Sequence, residues 1–266
     1  MFLLLPFLHS VYLSFCSWDG INAARWVGLD NYRTVLGSPQ NRDAFLHAFI
    51  LIGFYAFLTT GLALVLVGIL RSTKVRGMVI LRTLLFLPYV IAPVVTGVAW
   101  RWLLAPDGPV NTLLRAVGLD SWARAWLGDF AWSLPSVGLI GTWMLLGLVL
   151  VLLLAGVQRI PAELYEAVRL DGAGGIREFF TVTLPGVRNE ITVIMVLSVT
   201  AALKNFDLIY VTTQGGPGRS TEVPSFLVYQ KAFFVGELGT ASAMGVLLTV
   251  LILLLTVLIL RPWRKA

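Results

Sequence analysis

The sequence predicts an all-α, polytopic membrane protein with six transmembrane helices, and three observations carry that prediction. Hydrophobic residues make up 58% of the chain of 266 and charged residues only 13%. A water-facing domain needs roughly a quarter of its residues charged, so much of this surface must face something else. Second, the chain contains six successive stretches without Asp, Glu, Lys or Arg: Met1–Trp18, Ala44–Leu70, Thr83–Trp100, Phe130–Gln158, Ile191–Leu203 and Leu238–Leu260. Third, mean hydropathy is +0.84. The single cysteine, Cys16, excludes a disulfide scaffold, and with only His9 and His47 a three-His zinc centre is excluded too. No metal or cofactor is expected.

Each stretch can be judged against the membrane. A helix crossing a hydrocarbon layer of about 30 Å needs about 20 apolar residues at about 1.5 Å of rise each. The first has an apolar core, Phe2–Ser17, covering about 24 Å. No Lys or Arg precedes it and no small-x-small cleavage pattern follows, so it reads as a transmembrane helix with a truncated start and not as a secretory signal. The second, fourth and sixth stretches are long enough. The third reaches the length by running through Arg101 and Trp102 to Ala105. The fifth has 13 uncharged residues before Lys204. It spans only by beginning near Pro185 and carrying Lys204, Asn205 and Asp207 at or near membrane depth. Intramembrane charge marks a functional site by default. The alternative places these residues at the outer interface, since Pro185 to Lys204 already covers about 28 Å of helix.

Six spans put both termini on one side. With the ends cytoplasmic, the inside segments hold 11 Lys and Arg in 48 positions and the outside segments 9 in 99. The positive-inside rule therefore predicts cytoplasmic N- and C-termini. Trp18, Trp26, Trp100, Trp102, Trp122, Trp126 and Trp132 gather near the outer ends, as an aromatic belt would. The net charge of +6 follows from the same bias, without nucleic acid as a partner.

The segment between the fourth and fifth spans is the most informative. Pro161 suits the first position of a helix and Glu163 complements its dipole. Gly172 is a natural C-terminal stop. Beyond it, Ile176, Phe179, Phe180 and Thr183 recur at helical spacing, and Pro185 is expected to open the next span. A helix–glycine–helix element results. It either exposes Glu166 to a cytoplasmic partner's Arg or Lys, or simply seals the bundle at the interface.

The run Glu166-Ala167-x-x-x-Asp171-Gly172-Ala173, with Leu184-Pro185 beyond it, resembles the EAA loop of permease subunits of bacterial binding-protein-dependent ABC importers. Val27-Gly28-Leu29-Asp30-Asn31-Tyr32 is similar to the family's first outer loop. Leu87-Pro88-Tyr89-Val90-Ile91-Ala92-Pro93 and Ala99-Trp100-Arg101-Trp102 resemble its third span. Phe206-Asp207-Leu208-Ile209-Tyr210 with Gly215-Gly216-Pro217 is similar to the sugar branch, the maltose and glycerol-phosphate type. Val168 departs from the motif's usual Ala.

The resemblance implies a type I ABC-importer permease fold. Residues 1–44 would form a truncated first helix and outer loop, and 45–262 the transmembrane core with a coupling loop at 159–185. It further implies a cytoplasmic ATPase dimer, a second permease (normally a different paralogue), an extracytoplasmic solute-binding protein and surrounding lipid as partners. Coupling to the ATPase would fall to Glu166, Ala167, Asp171, Gly172, Ala173, Leu184 and Pro185. None of the four lysines, Lys74, Lys204, Lys231 and Lys265, follows a glycine, so the chain has no phosphate-binding loop and is expected not to be an enzyme. Ser198 and Asn205 match polar positions that contact sugar in the family, and Ala202 does not. The three are spaced for one helical face. Ser198 and Asn205 would either bind sugar hydroxyls or bond between helices, and Trp143 would stack on a sugar ring. A lone secondary transporter would instead show two related halves with paired charges, and a membrane enzyme a polar cluster inside the spans. The sequence displays neither.

Overall fold

A computed structural model of the chain describes residues 2, 4–72 and 78–261. Each predicted stretch contains helix, but the stretches differ in continuity. Three unbroken helices are long and apolar enough to cross a membrane: Pro39–Leu70, Ser133–Val157 and Leu238–Leu260. These are the second, fourth and sixth spans. The first is a shorter apolar helix, Leu4–Leu13. The third and fifth are bent pairs, Thr83–Val90 with Pro93–Leu103 at 104°, and Gly175–Gly186 with Arg188–Leu203 at 68°. The only strand pairing among the described residues is Cys16–Ser17 against Arg25–Trp26, in the loop after the first helix. Residues 73–77 and 262–266, whose basic side chains entered the orientation count, lie outside the described residues.

The third span is therefore not one helix to Ala105. A proline disfavours helical geometry in the residue before it. Ala92, preceding Pro93, is extended at φ −55°, ψ 135°, and Pro93 then takes the first position of a new helix. The fifth span also departs from expectation. Pro185 does not open it, because Leu184–Gly186 finishes the preceding helical segment and Val187, at φ −97° and ψ 13°, forms the break. The span proper is Arg188–Leu203, about 24 Å long. Lys204 is its C-terminal cap, so Asn205 falls beyond the helix. The second span starts at Pro39, ahead of the uncharged stretch, since Ser38 and Pro39 supply a helix start that polar residues can extend outside the membrane.

The fourth span is the centre of the bundle. In its most apolar window 56% of residues are buried, against 17% in the sixth span, which leaves Leu253, Leu254, Val257 and Leu258 exposed on the outside of the bundle. Close approach to the fourth span depends on glycine. A Cβ at Gly147 would collide with the carbonyl oxygen of Leu85, and one at Gly141 with the ring of Tyr55. Tyr55 lies in a π-helical turn, Gly53–Leu58, within the second span. That widened turn leaves the Phe54 carbonyl accessible, and the hydroxyls of Thr59 and Thr142 both donate to it at 3.0 Å. Thr142 thus ties the second span to the fourth where both border the cavity described next.

Candidate functional site

The loop between the fourth and fifth spans folds as a helix, a glycine bend and a second helix. The first helix is Ala162–Leu170, with Pro161 just outside it as the N-cap. Gly172 adopts φ +75°, a left-handed conformation in which a side chain is strained. Its N–H donates to the carbonyl of Arg169 at 3.0 Å, and the Ala173 N–H to that of Val168 at 3.1 Å. This pairing closes a helix end around a left-handed residue. The second helix, Gly175–Gly186, becomes π-helical over Phe179–Thr183.

Side-chain contacts lock the two helices together. Arg169 Nε donates to Glu178 at 2.7 Å across the bend. Hydrogen bonding and charge from Glu178 hold the Arg169 guanidinium above its ordinary value. The Tyr165 hydroxyl lies 3.3 Å from that of Thr183. Arg159, at the loop's start, pairs with Glu190 at 3.6 Å, joining the loop to the first turn of the fifth span. Glu166, Ala167, Asp171 and Gly172 are all exposed, Ala173 is half-buried, and Leu184 and Pro185 sit further on at the bend into the fifth span. Leu170 is 89% exposed and Ile176 80%, so the bend presents apolar surface that nothing in this chain covers. Behind it lies a cavity of about 910 Å³, walled by Leu64, Val65, Gly68, Ile176, Phe179 and Phe180 among others.

A second cavity, of about 580 Å³, opens between the second, third, fourth and fifth spans. Its wall includes Tyr55, Tyr89, Thr200, Lys204, Asn205 and Asp207. Asn205 is only 8% exposed, and its Nδ2 has no hydrogen-bond partner. Sequence reasoning placed Ser198, Ala202 and Asn205 on one face, but the helix stops before Asn205. The face that lines the cavity is Leu197, Thr200, Ala201 and Lys204. Ser198, 2% exposed, lies instead on the packed face with Ile194 and Ala202. Trp143 is 39% exposed and packs edge-on against Trp100 at 5.5 Å, away from the cavity wall. Tyr55 and Tyr89 were missed. Tyr55 is aimed by the π-helical turn, which has no simple sequence signal, whereas Pro93 marked the break just beyond Tyr89.

A bundle of long apolar helices, two of them broken, with an internal cavity and a latched helix–glycine–helix loop is the architecture of a multi-pass membrane protein. A model of the family described as binding-protein-dependent transport system inner membrane component matches residues 45–261, and the chain belongs to that family. The probable ABC transporter permease protein YurN of Bacillus subtilis is 35% identical over 97% of this chain and 89% of its own length. The diacetylchitobiose uptake system permease protein NgcF of Streptomyces coelicolor is 32% identical over 97% of this chain and 77% of its own. Among solved structures, a chain of a bacterial ABC transporter involved in import of the acidic polysaccharide alginate superposes with a TM-score of 0.85. It is 23% identical and covers 100% of this chain and 90% of its own. The present chain is accordingly a permease subunit, and not an enzyme.

Proposed function

We propose that this permease forms half of the translocation path of an ATP-driven importer for a sugar or sugar-like solute. An extracytoplasmic binding protein delivers the solute, a second permease completes the path, and a cytoplasmic ATPase dimer drives it. The family's description and the diacetylchitobiose permease among its relatives support this assignment. Both termini and the 159–185 loop face the cytoplasm in this scheme.

The observation that carries the coupling role is the exposed edge Glu166–Ala167–Asp171–Gly172 on a helix pair latched by Arg169 and Glu178. Glu166 meets a basic group on the ATPase, Ala167 permits close approach, and Ala173 supports the bend. Leu184 and Pro185 pass the displacement into the fifth span. Asn205 contacts solute in the central cavity, with Ser198 and Trp143 bracing the helices behind it. The test is sugar uptake by the assembled transporter. Glu166→Lys and Gly172→Pro should each abolish uptake while the subunit stays inserted. Uptake at the unmodified rate from either variant would remove the coupling assignment.

A further inference from the structure

The cavity of about 910 Å³ behind the glycine bend has no part in the proposed coupling or solute path. Its two walls come from different elements. One is the end of the second span, through Leu64, Val65 and Ile69. The other is the helix Gly175–Gly186, through Ile176, Phe179 and Phe180. That helix turns 68° away from the fifth span, so it lies close to the membrane plane at the end of the second span. The two walls meet at Gly68, where a Cβ would stand 3.6 Å from the Phe179 ring. The cavity therefore sits where hydrocarbon gives way to headgroups.

On the membrane side, Leu58, Leu62, Val65 and Ile69 recur at helical spacing and are all exposed. They form an apolar stripe about 17 Å long that leads into the cavity. Among the described residues its polar lining is Arg169, Glu178 and Thr183. Glu178 engages Arg169 at Nε, 2.7 Å away, and at Nη2, 3.5 Å away. A guanidinium has five N–H donors, so most of its capacity is left over. The Arg169 side chain is 62% exposed, and among the described residues nothing else accepts from it.

A void of this size does not stay empty in a close-packed membrane protein, and an apolar lining holds no water. A neighbouring transmembrane helix, about 10–12 Å across, would run into the helix Gly175–Gly186 at the end of the second span. A lipid tail that ends in a headgroup at this level would not. We propose that the cavity binds a glycerophospholipid of the leaflet next to the loop. One acyl chain lies between Val65, Ile69, Ile176 and Phe180, and the phosphate accepts from the remaining N–H groups of Arg169. The simpler account is unselective filling by any nearby lipid. Chain packing alone gives little preference for one apolar surface over another within lipid. The spare guanidinium donors supply the preference, because their bonds to a phosphate are charge-assisted.

The experiment places the complete transporter in vesicles of phosphatidylethanolamine and phosphatidylglycerol. A trace of phosphatidylglycerol carries a photoreactive diazirine in one acyl chain, and crosslinks are mapped by mass spectrometry. Residues 64–69 and 176–180 should be labelled about tenfold more than the exposed sixth-span residues 253–258, a preference of about 1.4 kcal/mol. Photoreactive diacylglycerol, which has the chains but no phosphate, should show no such preference. Val65→Trp, which fills the mouth from an exposed position, and Arg169→Gln should each reduce cavity labelling to the sixth-span level. Glu178→Gln removes the charge of the latch but keeps the guanidinium, so labelling should stay within about twofold. Equal labelling of cavity and sixth span in the unmodified protein overturns the proposal, and that comparison needs no variant. Equal labelling by diacylglycerol, or an equal loss in Arg169→Gln and Glu178→Gln, overturns it as well, since no phosphate contact would then exist. A benzophenone side chain introduced at Ile69 should join to lipid; joining to another subunit would make the occupant a protein.

Discussion

Gly172 carries the bend on which the proposed coupling depends, and its constraint is conformational. Nothing lies within 4 Å of where its Cβ would be, yet its φ is +75°. A side chain therefore meets no neighbour but incurs the cost of left-handed backbone, roughly 1–2 kcal/mol for most residues. Asparagine tolerates that region better than alanine. Proline cannot adopt it, and it would also remove the N–H that donates to Arg169. Uptake should therefore fall in the order Gly172, Gly172→Asn, Gly172→Ala, Gly172→Pro, with the last abolishing it. An alanine variant better than the asparagine one would show that the bend is not held left-handed in the working transporter. Much at this scale was legible, because a glycine between two helical patterns has one common use. The Arg169–Glu178 latch was not, since two charges 9 residues apart pair only once the bend folds them together.

At the scale of elements, what escaped the sequence was where helices break and which faces turn inward. A 13-residue uncharged run reads as too short a span, and the deficit was assigned to Pro185. The chain instead breaks at Val187 and ends the helix at Lys204, which moves Asn205 off the predicted face. The π-helical turn is a comparable case, because it re-aims Tyr55 into the cavity through packing against Gly141. Gly141→Ala should lower thermal stability in detergent by about 1–3 kcal/mol, the usual cost of overpacking. Tyr55→Ala is itself destabilising, but in that background Gly141→Ala should cost little, and an equal cost in both backgrounds would mean that the two residues are not in contact. A second element-level contact ties the loop between the fifth and sixth spans to the second span. Glu222 is buried, Gln40 donates to its carboxylate at 2.8 Å, and the His47 ring lies 2.9 Å from its carbonyl oxygen. Burial pushes the Glu222 carboxyl up, with Gln40, Arg219 and His47 opposing. A carboxyl raised in the folded state favours folding most below the ordinary glutamate range, and this contribution is lost as pH rises through the raised value. Glu222→Gln should thus flatten the fall in stability as pH rises above the ordinary glutamate range. An unchanged slope would mean that Glu222 titrates as it does in the unfolded chain.

For the whole molecule, the decisive property is sidedness, because every proposed role depends on which face meets which partner. The charge count that sets it draws partly on residues outside the described ones, but the fold offers an independent reporter. Cys16 is fully buried and is the chain's only cysteine, so an added cysteine is labelled against a silent background. Asp171 is exposed at the glycine bend, and Asp107 has a side chain that is 99% exposed in the loop after the third span. These loops follow the fourth and third spans, so one membrane crossing separates them. A membrane-impermeant maleimide should label Asp107→Cys on intact cells and Asp171→Cys only in inverted vesicles. The opposite pattern would place the exposed Glu166 edge where no cytoplasmic ATPase can reach it, and coupling through this loop would be excluded. Labelling of both from one side would contradict the fourth span itself, the most buried helix in the bundle, and with it the membrane topology on which the central cavity and its charged rim depend.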